Sequence, residues 1–394
     1  MTIQKKLIQW IGNGIFMLLI FLFVADPTNT IFGLKSPVFA LLLLYSLIFF
    51  KADWKNIVYF IIPVVTVMVS FVFAEMQGNH VDMDALKDLI FSFSPLLLLM
   101  WAGHYDIIRL SVIPVTITAI LVLILFWGIY FVPEFEGPVF MFMCEHDETI
   151  MMSNRAFLGI QLFCMYPKST VAFLPVFGFA VYEALTKKRW SYMILVAILL
   201  HMFVISGTRS TMLLPLLLFG ILFFLYCRNG RYVRYIVYPS LMVFAIAFVV
   251  LLTMLLMEES EPSNMVKYAH LESYKELFEA NPEYLLFGQG PCTEFYSMGF
   301  RKMTMITEWT YAEMLRNYGL LCIPIIYVML LPIYKLLRFS VKYESALAIA
   351  VAVFIYLIIA GTNPLLFSST GFMVILSAYS YAEIIKNRDT KFVH

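Results

Sequence analysis

Near-continuous apolar runs recur along this chain, most of them close to the roughly 17–25 residues a helix needs to cross a hydrocarbon core about 30 Å thick. The stretch IIRLSVIPVTITAILVLILFWGIYF at 107–131 holds one charged residue, near its start. In lipid nothing but the chain itself can satisfy backbone N–H and C=O groups, so such runs are expected to be helices. They fall at 7–24, 36–50, 57–75, 86–102, 107–131, 169–186, 191–206, 210–227, 235–257, 317–334, 343–360 and 364–383. The expected fold is an all-α polytopic membrane bundle of about twelve helices, a single integral domain over 1–394. Hydrophobic residues make up 62% and charged residues 13% of the chain, against roughly 25% charged in soluble domains. Those figures exclude a soluble globular domain, disorder, collagen, a coiled coil and a secreted disulfide scaffold.

The net charge of +1 hides an asymmetry between the two sets of connections. One set carries 17 of the 27 basic residues, all in short segments, including Lys51, Lys55, Lys187, Lys188, Arg189, Lys335 and Arg338. The other carries 20 of the 26 acidic residues. Short cytoplasmic loops are enriched in Lys and Arg, so both termini are expected on the cytoplasmic side and the acidic face outside. The first apolar run follows Lys5 and Lys6 without a small-residue cleavage site and reads as a retained helix. Cys144, Cys164 and Cys292 lie in or near outer loops and allow one disulfide at most, with no pair selected by sequence.

Charged side chains avoid the span centres; Glu75, Glu183, Glu313, Arg316, Glu344 and Glu383 all sit at span ends. Ion-coupled transporters keep ionisable groups near the midplane, so the chemistry of this chain is expected at the outer boundary. Two outer loops, 132–168 and 258–316, are long enough to be structured. The second opens with Glu258, Glu259 and Glu261, then a helix start at Pro262–Ser263–Asn264 with Ser263 as cap. Val266, His270, Leu271, Tyr274, Leu277 and Phe278 follow at helical spacing, with Lys267, Glu272, Lys275, Glu276 and Glu279 opposite and Asn281–Pro282 as the stop. This predicts an amphipathic helix on the membrane surface or against the bundle. Next comes Gly288–Gln289–Gly290, a turn whose amides can approach an anion, although such turns are commonly only turns. Between spans seven and eight, Ser206–Gly207–Thr208–Arg209–Ser210 is the whole connection. Arg209 there breaks the positive-inside bias; its planar fork suits phosphate, and it also suits a snorkelling contact with lipid headgroups.

Those pieces in that order resemble the superfamily of O-antigen polymerases and O-antigen ligases, bacterial membrane glycosyltransferases. The matching segments are SGTRS (206–210), HLESYKELFEANPEYL (270–285), FGQGPCTEFYS (287–297) and TEWTYAEMLRNYGLL (307–321), about a quarter of the chain. The polymerase branch is the closer one. Ligases typically carry a His-Asn pair where this chain has Glu308–Trp309, and many members start the loop helix with an arginine where His270 stands. The resemblance implies transfer of a glycan from undecaprenyl pyrophosphate onto the next lipid-linked repeat unit, at the outer face of the bacterial inner membrane. Lipid-linked glycan donor and acceptor and membrane lipid are the implied partners, with room for a chain-length regulator protein.

Chemical requirements then assign candidates. Negative charge developing on the leaving pyrophosphate calls for fixed donors, Arg209 first and Arg316 second. The acceptor hydroxyl calls for a base, His270 or Glu308. Gly288, Gly290, Glu294, Arg155 and Tyr296 are candidate substrate contacts, Lys168 in the same loop as Arg155 is a further candidate for pyrophosphate or glycan, and Tyr296, Trp309 and Tyr311 are candidates for stacking on sugar rings. Tyr296, Trp309 and Tyr311 also fit an interfacial aromatic belt. No metal and no cofactor are expected: the donor is already activated, Asp84 beside His80 and Asp82 reads as a helix cap, and Glu145, His146, Asp147 and Glu148 read as a solvated acidic loop. His104 and His201 read as structural histidines. The basic loops are topology signals, not a nucleic-acid site. The rival readings are a ligase that hands finished glycan to another acceptor, and a flippase or exporter of the lipid-linked unit, which would need a cationic path through the membrane.

Overall fold

The computed structural model describes residues 3–157, 160–227 and 262–392. The expected ninth span, 235–257, and Glu258, Glu259 and Glu261 lie outside the described residues. Among the described residues, six helical stretches are long and apolar enough to cross a membrane: Ile3–Ala25, Trp54–Met76, Ile107–Phe131, Lys168–Lys187, Arg209–Cys227 and Thr310–Ser340. Lys35–Phe49, Trp190–Ile205 and Glu344–Ala360 are apolar helices of shorter length. The chain is thus predominantly α-helical with membrane character.

In chain order the helices are α1 (Ile3–Ala25), α2 (Lys35–Phe49), α3 (Val58–Met76), α4 (Met83–Ser92), α5 (Ile107–Phe131), α6 (Glu136–Glu145), α7 (Leu174–Lys187), α8 (Trp190–Ile205) and α9 (Arg209–Cys227). They continue as α10 (Pro262–Ala280), α11 (Tyr284–Phe287), α12 (Thr310–Tyr318), α13 (Ile323–Ser340), α14 (Glu344–Ala360) and α15 (Ser369–Phe392). Of the spanning stretches, the one ending in α7 is by far the most buried, and α7 packs on α8, α9 and α14. Close approach of α7 to α14 depends on small residues. A Cβ on Gly178 would meet that of Ala352 at 2.7 Å, and Ala346, Ala348 and Ala350 are buried on the same helix. Outward faces are as apolar as the core: Leu44, Ile61, Val65, Val72, Ile113, Leu121 and Ile124 are all exposed. Contiguous exposed hydrocarbon of that extent is stable only against other hydrocarbon, which gives the bundle its membrane character.

Several expectations need correction. The span placed at 86–102 is not one helix. It breaks after Ser92, and Ser94–Trp101 continues as a 3-10 turn with Pro95 at its start. The span placed at 317–334 is the second part of a longer stretch, with α12 and α13 joined by a tight turn at Gly319. Helix α4 is capped by Asp82, whose carboxylate accepts from the Asp84 and Ala85 amides at 2.9 and 3.0 Å; Asp84 is not the cap and pairs with Lys87.

The two loops add short strands to the predominantly helical fold. In the first loop β1 (Ile150–Phe157) pairs antiparallel with β2 (Ile160–Pro167), setting Arg155 opposite Leu162. In the second, β3 (Phe295–Ser297) pairs with β4 (Lys302–Thr304). Helix α10 covers Pro262–Ala280 and stops before Asn281, so Ser263 stands within the helix and is not its cap. Its buried face is more polar than its pattern suggested. Asn264, His270, Ser273 and Tyr274 point inward, whereas Leu271 is exposed. It therefore docks through hydrogen bonds onto the 297–313 region, including Ser273 Oγ accepting from the Met298 amide at 2.8 Å. All five cysteines are free thiols.

Candidate functional site

The α8–α9 hairpin is where the site begins. Gly207 adopts φ +63° and is pressed so closely on β2 that a Cβ would overlap the Cys164 sulfur; the Arg155 Cδ lies 3.8 Å from the same position. Only glycine combines that backbone with that proximity. The Ser206, Thr208 and Thr211 hydroxyls bond one another and tighten the turn. Arg209, the first residue of α9, reaches across to α10, where its Nη1 donates to Asn264 Oδ1 at 3.3 Å.

One turn further along α10, Lys267 pairs with Glu308 at 3.5 Å, and its carbonyl accepts from the Trp309 indole at 3.0 Å. Tyr166, at the end of β2, takes a hydrogen bond from the Asn363 amide. Burial pushes the Tyr166 phenol up to about 12, with the Asn363 hydrogen bond and Arg155 opposing the rise. Among the described residues, elements far apart in sequence thus link Arg155 to the Gly207 turn, Arg209 to Asn264 of α10, and Lys267 of the same helix to Glu308. Glu308 keeps a side chain 43% exposed, open to a ligand.

The two candidate bases separate. His270 is 0% exposed: its Nδ1 shares a hydrogen bond with Ser297 Oγ at 2.8 Å, and the edge of Phe300 covers the ring. Burial lowers its pKa, with Glu308 and Glu313 partly opposing. Enclosed in this way, His270 cannot meet a substrate hydroxyl and serves instead to join α10 to β3. Glu308 is the more exposed of the two.

Arg316 likewise departs from its expected role. It is 0% exposed, and every guanidinium N–H has an acceptor. Nε and Nη2 bind Glu313 at 2.9 and 2.8 Å, Nη2 also reaches the Met305 carbonyl at 2.7 Å, and Nη1 takes Gln289 Oε1 at 2.8 Å and the Thr293 carbonyl at 2.9 Å. The Phe295 ring lies beneath it, 4.5 Å from the guanidinium carbon. No donor is left for a pyrophosphate. Arg316 is the knot that ties residues 289–305 to α12.

The glycine turn is part of the same packing. Gly288 has φ +81°, and a Cβ there would overlap the Asn317 carbonyl; on Gly290 it would overlap Ala74. Both glycines let chain segments touch, and the Gly288 and Gln289 amides donate to the Tyr284 and Arg316 carbonyls. Glu294 and Tyr296 sit on the exposed side of β3, alternating with buried Phe295 and Ser297. They stand apart from the Arg209 group in the contacts they make. No family model, no curated protein and no solved structure matches this chain.

Sequence reading missed Lys267, Tyr166, Asn264 and Asn363. Lys267 had been assigned to the solvated face of α10, yet it stands three residues from Asn264 and from His270, on the flank of the buried face. That spacing was the one available signal. Tyr166 and Asn363 lie in separate segments with no local pattern to mark them.

Proposed function

We propose that the chain polymerises lipid-linked oligosaccharide repeat units into O-antigen or a related surface polysaccharide, by glycosyl transfer from undecaprenyl pyrophosphate. The reading includes a topology of twelve spans with cytoplasmic termini and the Arg209 group on the outer side. The observation that carries it is the docking of the Arg209 hairpin, through Asn264, on the helix whose Lys267 pairs with Glu308, with Arg155 beside Gly207 of the same hairpin. Such a group has what the reaction requires. The acceptor hydroxyl attacks the anomeric carbon and gives its proton to Glu308, while the bond to the lipid pyrophosphate breaks. The leaving oxygen's negative charge then falls to Arg209, with Arg155 and Lys267 as further cations. Preorganised cations in a partly dry site stabilise that charge far better than water does, because they need no reorientation.

The test is the size distribution of lipid-linked and surface glycan in cells lacking this protein, then in cells with the wild type or Arg209→Ala restored. Collapse to a single repeat unit, reversed only by the wild type, supports polymerisation. Full-length glycan stranded on undecaprenyl pyrophosphate would make it a ligase, and single units held on the cytoplasmic side would make it an exporter. Wild-type polymer length with Arg209→Ala, at equal protein level, would sink the assignment of Arg209.

A further inference from the structure

The outer face of α5 leads into a surface that the bundle leaves uncovered. Ile113, Ile117, Ile120, Leu121 and Ile124 recur at helical spacing and are all exposed, as on a helix whose outer stripe meets lipid. The same stripe reaches Trp127 and Phe131, whose rings stack with centroids 5.5 Å apart, and Tyr130 packs edge-on against both. The chain then turns back on itself. The Val132 amide donates to the Gly128 carbonyl at 2.8 Å and the Phe135 amide to the Val132 carbonyl at 2.9 Å, and the Phe135 ring lies 3.9 Å from where a Cβ on Gly128 would stand. Helix α6 therefore starts beside the last turn of α5.

Helix α6 has two unlike sides. Met143 is buried and Val139, four residues before it, is half-buried, and the helix packs on β1. Phe140, Met141 and Cys144 are exposed, Met141 to 65%. With Tyr130 at 73%, Phe131 at 71% and Phe135 also exposed, they form an apolar, aromatic-rich surface that continues the outer stripe of α5. Charge is confined to its two ends, with Glu134 and Glu136 before the apolar stretch and Glu145, Asp147 and Glu148 after it. The ten residues of α6 make a helix about 15 Å long, half the thickness of a hydrocarbon core, so it cannot cross one. Both its ends also return to the same end of the bundle. Strand β1 pairs with β2, which meets the end of α5, where Phe163 stacks on Phe126, and the Gly207 turn.

We propose that residues 130–144 are an in-plane membrane anchor. The 132–135 turn and α6 sit at the headgroup boundary of the leaflet in which α5 ends, with Tyr130, Phe131, Phe135, Phe140 and Met141 among the upper acyl segments. The partner is the phospholipid surface, and two features select it over a second protein chain. The surface runs on from the lipid-facing stripe of α5 without a break, and aromatic side chains at the end of a spanning helix are those that favour the headgroup level. The acidic ends stay in water and offer anionic lipids no attraction, so the anchor acts through apolar area and not through charge. Its effect is to hold the β1–β2 hairpin, against which the Gly207 turn packs, at the bilayer surface. None of this depends on the glycosyl-transfer reading.

The full chain in phosphatidylcholine vesicles, with the photocrosslinker p-benzoylphenylalanine introduced at Phe140 or at Met141 and its adducts read by mass spectrometry, tests the anchor. Phospholipid adducts are expected at both positions in a yield like that of the same group at Ile124 on α5. At Lys275, on the exposed side of α10, the yield should be about tenfold lower. Met141→Glu, read with the crosslinker at Phe140, should lower lipid adducts about tenfold by placing a charge in the apolar surface. The yield at Ile124 in the same Met141→Glu chain should stay unchanged, which shows that the bundle is still folded in the bilayer. Adducts to a second copy of the chain in place of lipid, or yields at 140 and 141 no higher than at Lys275, would overturn the proposal. A yield that rises when phosphatidylglycerol replaces part of the phosphatidylcholine would make the contact charge-driven and overturn it equally.

Discussion

Arg316 sends both Nε and Nη2 to the same oxygen of Glu313, at 2.9 and 2.8 Å, one helical turn apart on α12. Its remaining donors hold Gln289, Thr293 and Met305, so a single guanidinium fixes the whole 289–305 segment on α12. Removing it leaves the Glu313 carboxylate buried beside the Tyr274 hydroxyl with no counter-charge. Loss of one partner from a buried pair costs about 3–5 kcal/mol. Arg316→Met should therefore lower the melting temperature sharply in detergent and reduce the amount of folded protein. Arg316→Lys should not restore it, since one ammonium cannot reach that set of acceptors. A variant of wild-type stability that has lost only substrate affinity would return Arg316 to a binding role.

Glu308 and His270 are separated by what their loss should change. Glu308→Gln removes a half-exposed carboxylate whose ion pair with Lys267 contributes little to folding, roughly 1 kcal/mol or less. Its melting temperature should stay near that of the wild type while glycan elongation drops by about 10²–10⁴. His270→Ala should show the reverse: measurable elongation per folded molecule, and a loss of about 1–3 kcal/mol of stability from the unpaired Ser297 hydroxyl and the space left under Phe300. Elongation assays normalised to folded protein, beside melting curves, decide the pair.

A pH dependence follows from the burial of His270. Its pKa in the folded chain lies below the ordinary 6.5. Between those two values the unfolded chain binds more protons than the folded one, so stability is intact above pH 6.5 and falls as the pH drops below it. Glu308 and Glu313 oppose the shift, and Ser297 and Phe300 complete the surroundings. Melting temperatures measured downward from neutral pH should fall more steeply for the wild type than for His270→Asn. Equal slopes would show that another group controls the acid limb.

Gly207→Ala tests the hairpin that carries Arg209. The substitution combines a φ of +63° with overlap on the Cys164 sulfur, so the α8–α9 turn must pull away from β2. Strain of this type costs about 1–3 kcal/mol. Elongation should fall with it, because Arg209 moves relative to Asn264. Gly207→Ala paired with Cys164→Gly, which removes both overlapping atoms, should recover part of both losses, read as stability and as glycan length.

Local chemistry made some of this molecule legible before any coordinates. The continuous apolar runs fix helices because backbone groups in hydrocarbon have no partner but one another, and α1, α3, α5 and α9 stand close to where hydropathy puts them. Asn281–Pro282 closes α10 because proline's ring and missing N–H stop a helix. Arg209 was visible as an arginine on the wrong side of a charge bias. What sequence left undecided depends on distant partners. Strands β1 and β2 have no clean alternation to announce them and exist because they pair with each other.

Arg316 and Lys267 show the same division at the level of single residues. One is a cation at a span end and the other a cation on a helix flank, and sequence favoured the first as the ligand. The fold reverses them: acceptors from three segments saturate Arg316, and Glu308 draws Lys267 into the Arg209 group. A side chain's hydrogen-bonding capacity is written in its covalent structure, but which acceptors claim it depends on neighbours that only tertiary packing brings within 3 Å.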